Sequence, residues 1–145
     1  MKLFLDANVL FTAAHNPNGK ASLLIELGGQ GLWSLATSEY AIEEARRNLA
    51  RKFPRSVERL ESLLHPFEVV GHLPVLAVPP TLPDKDRPIF QAAAICHATH
   101  LLTGDLKDFG PLMNCREKTS GILIQTVGAF FDSLGGQGAR QPPKV

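Results

Sequence analysis

The sequence predicts an α/β domain in which a parallel sheet of about five strands is covered by helices on both faces. Three observations carry this expectation. Five short apolar runs alternate with stretches whose apolar residues recur at helical spacing, and such alternation builds parallel sheets. The 145 residues suit one domain. A composition of 44% hydrophobic and 20% charged residues is ordinary for a globular domain.

The elements follow in chain order. Lys2–Leu5 is the first apolar run and leads directly into Asp6. Leu23, Leu24 and Leu27 suggest a helix, and Leu32–Ala36 a second strand. Ser38 suits the N-cap of a helix whose inward stripe is Ile42, Ala45 and Leu49. Val57, Leu60 and Leu64 mark a third helix before the strand Phe67–Val70. The segment "LPVLAVPPTLPDKD" holds four prolines in fourteen residues and reads as a connection. Ile89, Ala92, Ala93 and Cys96 mark a fourth helix, followed by strands His100–Leu102 and Ile122–Gln125. Thr126 then caps a helix with Val127, Phe130, Phe131 and Leu134 on one face, and Gly135 is expected to stop it. The predicted domain is therefore residues 1–134, with a disordered tail, "GGQGARQPPKV", at 135–145. The chain shows no internal repeat.

Charge and cysteine use narrow the setting. Fifteen basic and fourteen acidic side chains give a net charge of +1, so only local charge arrangement can speak for a nucleic-acid partner. Cys96 and Cys115 form no CxxC pair, which fits a reducing cytoplasm better than a disulfide scaffold. Asp6 and Asn8 interrupt the N-terminal apolar run, which does not read as a signal peptide. No apolar run approaches the ~20 residues of a membrane span, so no membrane partner is expected.

The acids carry the chemistry. Asp6 and Asp105 both follow apparent strands, and in open parallel sheets sites lie beyond the carboxyl ends of the strands. Asp86 stands at the start of the fourth helix, where it suits an N-cap, with Pro88 in the first turn, and can also face the same crevice. On the Ser38 helix, Glu44 lies nearer the buried face, while Glu43 points outward with Arg47 four residues on. Two like charges 4 Å apart repel by about 4 kcal/mol at an effective dielectric of 20, so a cluster of four acids calls for protons or a cation. An all-oxygen donor set suits Mg²⁺ or Mn²⁺ better than zinc, and Mg²⁺ binds phosphate oxygens well. Cys96, His97 and His100 do not complete a zinc set, and His15 reads as a loop residue near the crevice.

Four stretches, "FLDANVL", "TSEYAIEEARRNL", "DKDRPIFQAAAICHATHLLTGDLKDF" and "GILIQTVGAFFDSL", extend this pattern from Met1 to about Leu134. In kind and order they resemble the PIN-domain family of metal-dependent ribonucleases, which includes the toxins of bacterial toxin–antitoxin pairs. The resemblance implies that Asp6, Glu44, Asp86 and Asp105 take the places of the family's four acids. Asp84 is the alternative third acid, two residues out of step. Asn8 and Thr103 match supporting polar positions. Asp108 matches a fifth acid, or else caps a short helix before Pro111. Many family members carry Ser or Thr inside the first motif, whereas here Asn8 is followed by Val9 and Leu10.

The resemblance further implies hydrolysis of single-stranded RNA with one or two Mg²⁺ ions held by Asp6, Asp86 and Asp105, and with Glu44 completing the cage or positioning water. It also implies a cognate antitoxin partner and a homodimer. Arg46, Arg47, Arg51 and Lys52 offer positive charge for RNA phosphates, against the alternative of a solvated helix face. Trp33 and Tyr40 either stack on bases or pack at the core edge. Two other functions compete. A phosphatase or phosphotransferase would use Asp6 as nucleophile, although a D-x-D motif would need Asp where Asn8 stands. A non-catalytic RNA-binding module would keep the fold without turnover.

Overall fold

The computed structural model describes residues 1–71 and 82–140, the last five as backbone. Its centre is a five-stranded sheet in the order β3-β2-β1-β4-β5, with every neighbouring pair parallel. The strands are β1 (Lys2–Leu5), β2 (Ser34–Ser38), β3 (Phe67–Val70), β4 (His100–Leu102) and β5 (Leu123–Gln125). Leu3 pairs with Leu35 on one side and His100 on the other, and Leu5 pairs with Leu102. Leu3, Phe4 and Leu5 are consecutive and all fully buried. Successive strand residues face opposite sides, so both faces of the sheet are covered at its centre.

Three strands fall on their predicted residues. β5 starts one residue later than expected, and β2 is displaced from Leu32–Ala36 to Ser34–Ser38. Gly31, at φ +97°, makes the preceding turn and leaves Leu32 largely exposed. Trp33 is buried and its indole N–H donates to the Leu24 carbonyl. The far end of β2 is polar in sequence yet buried, because the Thr37 hydroxyl donates to the Leu5 carbonyl of the neighbouring strand at 2.8 Å.

Seven α-helices lie among the described residues: α1 (Ala7–His15), α2 (Lys20–Gly29), α3 (Glu39–Lys52), α4 (Val57–Leu63), α5 (Arg87–Ile95), α6 (Leu106–Phe109) and α7 (Val127–Arg140). The sequence reading missed α1. Its apolar residues continue the β1 run, and the break between them is made by the Asp6 side chain, which accepts the Ala7 N–H at 2.6 Å. His15 is thus the last residue of a helix and not part of a loop. α2 buries Ala21, Leu24 and Ile25 and leaves Leu23 exposed. In α3, Ser38 Oγ accepts the Ala41 N–H, and Ile42, Ala45 and Leu49 face inward as expected.

The expected stop at Gly135 does not occur, because the α7 backbone continues to Arg140. A glycine costs a helix about 1 kcal/mol relative to alanine and ends it only where the chain turns left-handed. Residues 141–145 of the predicted tail, and 73–81 of the proline-rich connection, lie outside the described residues. The connection's last residues, Asp84–Asp86, form one turn of 3-10 helix. None of the helices among the described residues is long and apolar enough to cross a membrane.

Candidate metal centre

The order β3-β2-β1-β4-β5 reverses direction between β1 and β4, and the crevice beyond their carboxyl ends is the natural site of such a sheet. Asp6 follows β1, while Thr103, Gly104 and Asp105 follow β4. One hydroxyl ties the two ends together. Thr103 Oγ1 donates to Asp6 Oδ2 at 2.8 Å and accepts the Asp105 backbone N–H at 3.0 Å. Asn8 Nδ2 lies 3.3 Å from both Asp6 Oδ2 and Thr103 Oγ1, and Asn8 Oδ1 accepts the Gly104 N–H at 2.7 Å. A Cβ on Gly104 would stand 3.3 Å from that Asn8 oxygen, so the close approach favours glycine. Asn8 and Thr103 therefore hold Asp6 and Asp105 in register.

Thr103→Val removes this hydroxyl at nearly constant shape. It leaves a buried carboxylate oxygen without its best donor, an unsatisfied group that costs about 1–3 kcal/mol. The expected outcome is a lower urea midpoint at unchanged m-value, which equilibrium unfolding would read directly. An unchanged midpoint would mean that the hydroxyl does not organise the two strand ends.

Three carboxylates converge beside this network. Asp86, Asp105 and Asp108 each offer an oxygen within 4.8 Å of the others. Asp105 comes from the end of β4, and its Oδ1 accepts the Asp108 N–H at 3.0 Å. That bond caps α6 and sets Asp108 one turn further on, so Asp105 is the cap, not Asp108. Asp86 ends the 3-10 turn before α5 and stands at that helix's N-cap position as expected, with Pro88 in the first turn, but it is buried and its side chain makes no capping bond. Its Oδ2 is buried with no hydrogen-bond donor. Asp84, the alternative third acid, has a fully exposed side chain paired with Arg87 at 3.3 Å.

Asp6 stands outside this trio. It is buried, and its oxygens are engaged by Ala7 and Thr103. Its carboxyl is raised to about 6 on balance: burial pushes it up most, the hydrogen bonds from Thr103 and Ala7 pull it down, and the charges of Glu44 and Asp105 push it up. Glu44 is half-buried while Glu43 is exposed, as the helical wheel indicates, and its field reaches both Asp6 and the Tyr40 hydroxyl. Asp86 is raised to about 7, first by burial and then by Asp108 and Asp105, with Lys85 opposing. Asp108 is held below the usual range, first by its hydrogen bond with Asp86, with Lys85 Nζ 3.2 Å away adding to the effect.

The surrounding residues sort differently from expectation. Arg46 is committed to Glu61 through two bonds of 2.8 and 3.2 Å. Among the described residues no Glu43–Arg47 ion pair forms. Arg47, Arg51 and Lys52 are exposed, with Arg51 donating to Asn48 on its own helix. Tyr40 is 43% exposed and its hydroxyl donates to the Lys85 carbonyl, so it does not pack at the core edge, whereas Trp33 does. Cys96 and Cys115 are free thiols. Among the described residues the acidic trio is the one group able to gather three metal-ligand atoms, and it includes neither cysteine nor histidine.

A five-stranded parallel sheet with an acidic crevice at its switch point is a PIN-like fold. Comparison with solved structures agrees. A chain of VapBC2 from Rickettsia felis, bound to a promoter DNA fragment, superposes with a TM-score of 0.60 at 14% identity, covering 87% of this chain and 98% of that one. A chain of DNA-bound VapBC from Salmonella typhimurium gives 0.60 at 16% identity, with 88% and 98% covered. A chain of VapBC-1 from nontypeable Haemophilus influenzae gives 0.55 at 16% identity, with 88% and 99% covered. No family model and no curated protein sequence matches the chain.

Proposed function

We propose that this protein is a Mg²⁺-dependent endoribonuclease that hydrolyses phosphodiester bonds of single-stranded RNA. The observation that carries the reading is the convergence of Asp86, Asp105 and Asp108, each with a carboxylate oxygen within 4.8 Å of the others, at a place where Asp86 also keeps a buried oxygen without a hydrogen-bond donor. A buried carboxylate oxygen with no donor, set among further carboxylates, is what a hard divalent cation satisfies. Asp86, Asp105 and Asp108 would hold the metal, Mg²⁺ or Mn²⁺, and Asp6 and Glu44 add negative field from the β1 side. Once bound, such a cation neutralises phosphate charge and lowers the pKa of water.

The chain's own residues do the rest. Thr103 and Asn8 hold the acids in place. Asp6, whose carboxyl burial raises to about 6, sits in the field of half-buried Glu44, and together they add negative potential to the crevice. The phosphatase reading fits less well. A nucleophilic Asp6 needs a free oxygen, and here the carboxylate is buried and hydrogen-bonded at both.

The resemblance and the likeness to VapBC structures together support a toxin of a toxin–antitoxin pair with a cognate antitoxin as partner, and the resemblance alone adds action in the cytoplasm and a homodimeric assembly. The test is incubation of purified protein with end-labelled single-stranded RNA. Cleavage should require Mg²⁺ or Mn²⁺, stop with EDTA and return on adding excess metal. Cleavage unaffected by EDTA, or release of phosphate from a phosphomonoester with no RNA cut, would overturn the proposal.

A further inference from the structure

The crevice handles phosphate, but a single-stranded substrate also presents bases, and the acids offer nothing for a base to stack on. An aromatic surface lies one helix away. Phe53, just past the end of α3, is 43% exposed. Its ring stacks on His15 at the end of α1, with centroids 4.5 Å apart and planes within 10°. Phe11 meets His15 edge-on at 4.9 Å and lies 5.8 Å from Phe53, and Lys52 Nζ stands 5.9 Å from the Phe11 centroid.

Two features connect this surface to the crevice. The first is the stripe on α1 that carries it. Asn8, Phe11, Thr12 and His15 follow the helical repeat and are the partly or fully exposed residues of that helix. Seven residues separate Asn8 from His15, which is about 10 Å along the axis. On the adjoining side of α1, Asn8, Thr12 and Asn16 line an open groove of about 490 Å³ together with Thr103 and Gly104. The second feature is charge. Residues 7–25 and 45–57, which contain both helix ends, hold no acid, while Lys20, Arg47, Arg51, Lys52 and Arg55 are all exposed.

We infer that the Phe53–His15 stack is a base-stacking subsite for single-stranded RNA, with a phosphate at the acidic crevice and the strand lying along α1. This rests on the nucleic-acid reading above. Aromatic faces flanked by basic residues are how single strands are held without sequence preference, and stacking tolerates every base. Exposed basic residues in segments that hold no acid complement a phosphate backbone, whereas they offer nothing particular to an apolar protein face.

Binding of a fluorescein-labelled single-stranded oligoribonucleotide of about ten nucleotides, read by anisotropy in EDTA so that nothing is cut, tests the inference. Phe53→Ala should weaken binding about 5- to 150-fold, and Phe53→Tyr should retain it. The slope of log affinity against log salt should not change in Phe53→Ala, since no phosphate contact is lost. A fully paired RNA duplex should bind wild type and variant alike. Thermal melts check that all three variants, Phe53→Ala, Phe53→Tyr and Phe53→Leu, fold, and Phe53 is exposed enough to be replaced. Equal affinity of wild type, Phe53→Ala and Phe53→Leu for the single strand overturns the subsite even if Mg²⁺-dependent cleavage stands. So does a change in oligomeric state on Phe53→Ala with RNA affinity intact, which would make the surface a protein contact. Phe53-dependent binding by a wild type that never cleaves would uphold the subsite while removing the nuclease proposal.

Discussion

Asp105→Asn is expected to reduce metal-dependent RNA cleavage at least ~100-fold while leaving the fold intact. Asp105 links the two halves of the centre. Its N–H is held by Thr103, its Oδ1 caps α6, and its carboxylate lies within 4.8 Å reach of Asp86 and Asp108. Asparagine keeps an oxygen to accept the Asp108 N–H, so the cap survives and only the charge is lost. The metal-free variant should melt at a higher temperature than wild type, because one member of a mutually repelling set is gone. Addition of Mg²⁺ should then raise its melting temperature far less than it raises that of wild type. Asp84→Asn, two residues before Asp86, is the control. Its side chain is fully exposed, and activity and stability should stay within about 0.5 kcal/mol of wild type. Equal loss in both variants, or equal residual cleavage in wild type and Asp105→Asn, would sink the assignment of the centre.

Much of this arrangement was legible from residue order because its signals are local. An apolar run that ends abruptly in Asp marked β1 and β4 and placed Asp6 and Asp105 at their exits. The wheel on α3 separated Glu44 from Glu43 because burial on a helix follows a fixed period. Helix α1 was hidden because its first residues continue the apolar β1 run, and only the Asp6 side chain, capping Ala7, separates strand from helix. Ser38 was legible as the cap of α3, but Thr37 fell beyond the predicted end of β2, because its burial depends on a hydrogen bond to the neighbouring strand that hydropathy does not register.

The composition of the trio was likewise a matter of packing. Asp6 was expected among the ligands with Asp86 and Asp105 for its place at the strand end, whereas the three oxygens that lie together are those of Asp86, Asp105 and Asp108 and the Asp6 oxygens accept from Ala7 and Thr103. Asp108 looked secondary, although the i, i+3 spacing in "DLKD" already set it beside Asp105 once that stretch turned helical. The choice between Asp84 and Asp86 needed the 3-10 turn, which rotates one side chain out to solvent and the other inward. Phe53 and His15 are 38 residues apart in the sequence, and no local pattern announces their stacking.

Stability should fall with rising pH in the absence of metal and lose that dependence when Mg²⁺ is present. Asp6 is raised to about 6 and Asp86 to about 7, while an unfolded Asp titrates near 3.9. Between these values the folded protein binds more protons than the unfolded one, so unfolding releases protons and stability decreases as pH rises. The stabilisation is fully present below about pH 4 and is lost as pH climbs through about 6 and then about 7. Asp108, whose carboxyl is depressed, is ionised in both the folded and the unfolded protein above the unfolded value, so it does not alter the slope over this interval. The net change is on the order of 2–4 kcal/mol, or a fall of about 5–10 °C in melting temperature between pH 5 and pH 8 in EDTA. Mg²⁺ binds the deprotonated carboxylates, so its stabilising effect grows over the same interval in which the protons are lost. Calorimetric melts across that range, with EDTA and with excess Mg²⁺, should give two curves that diverge as pH increases. Parallel curves would show that the buried acids do not hold the ion, since a cation that does not compete with their protons cannot change the pH dependence of unfolding.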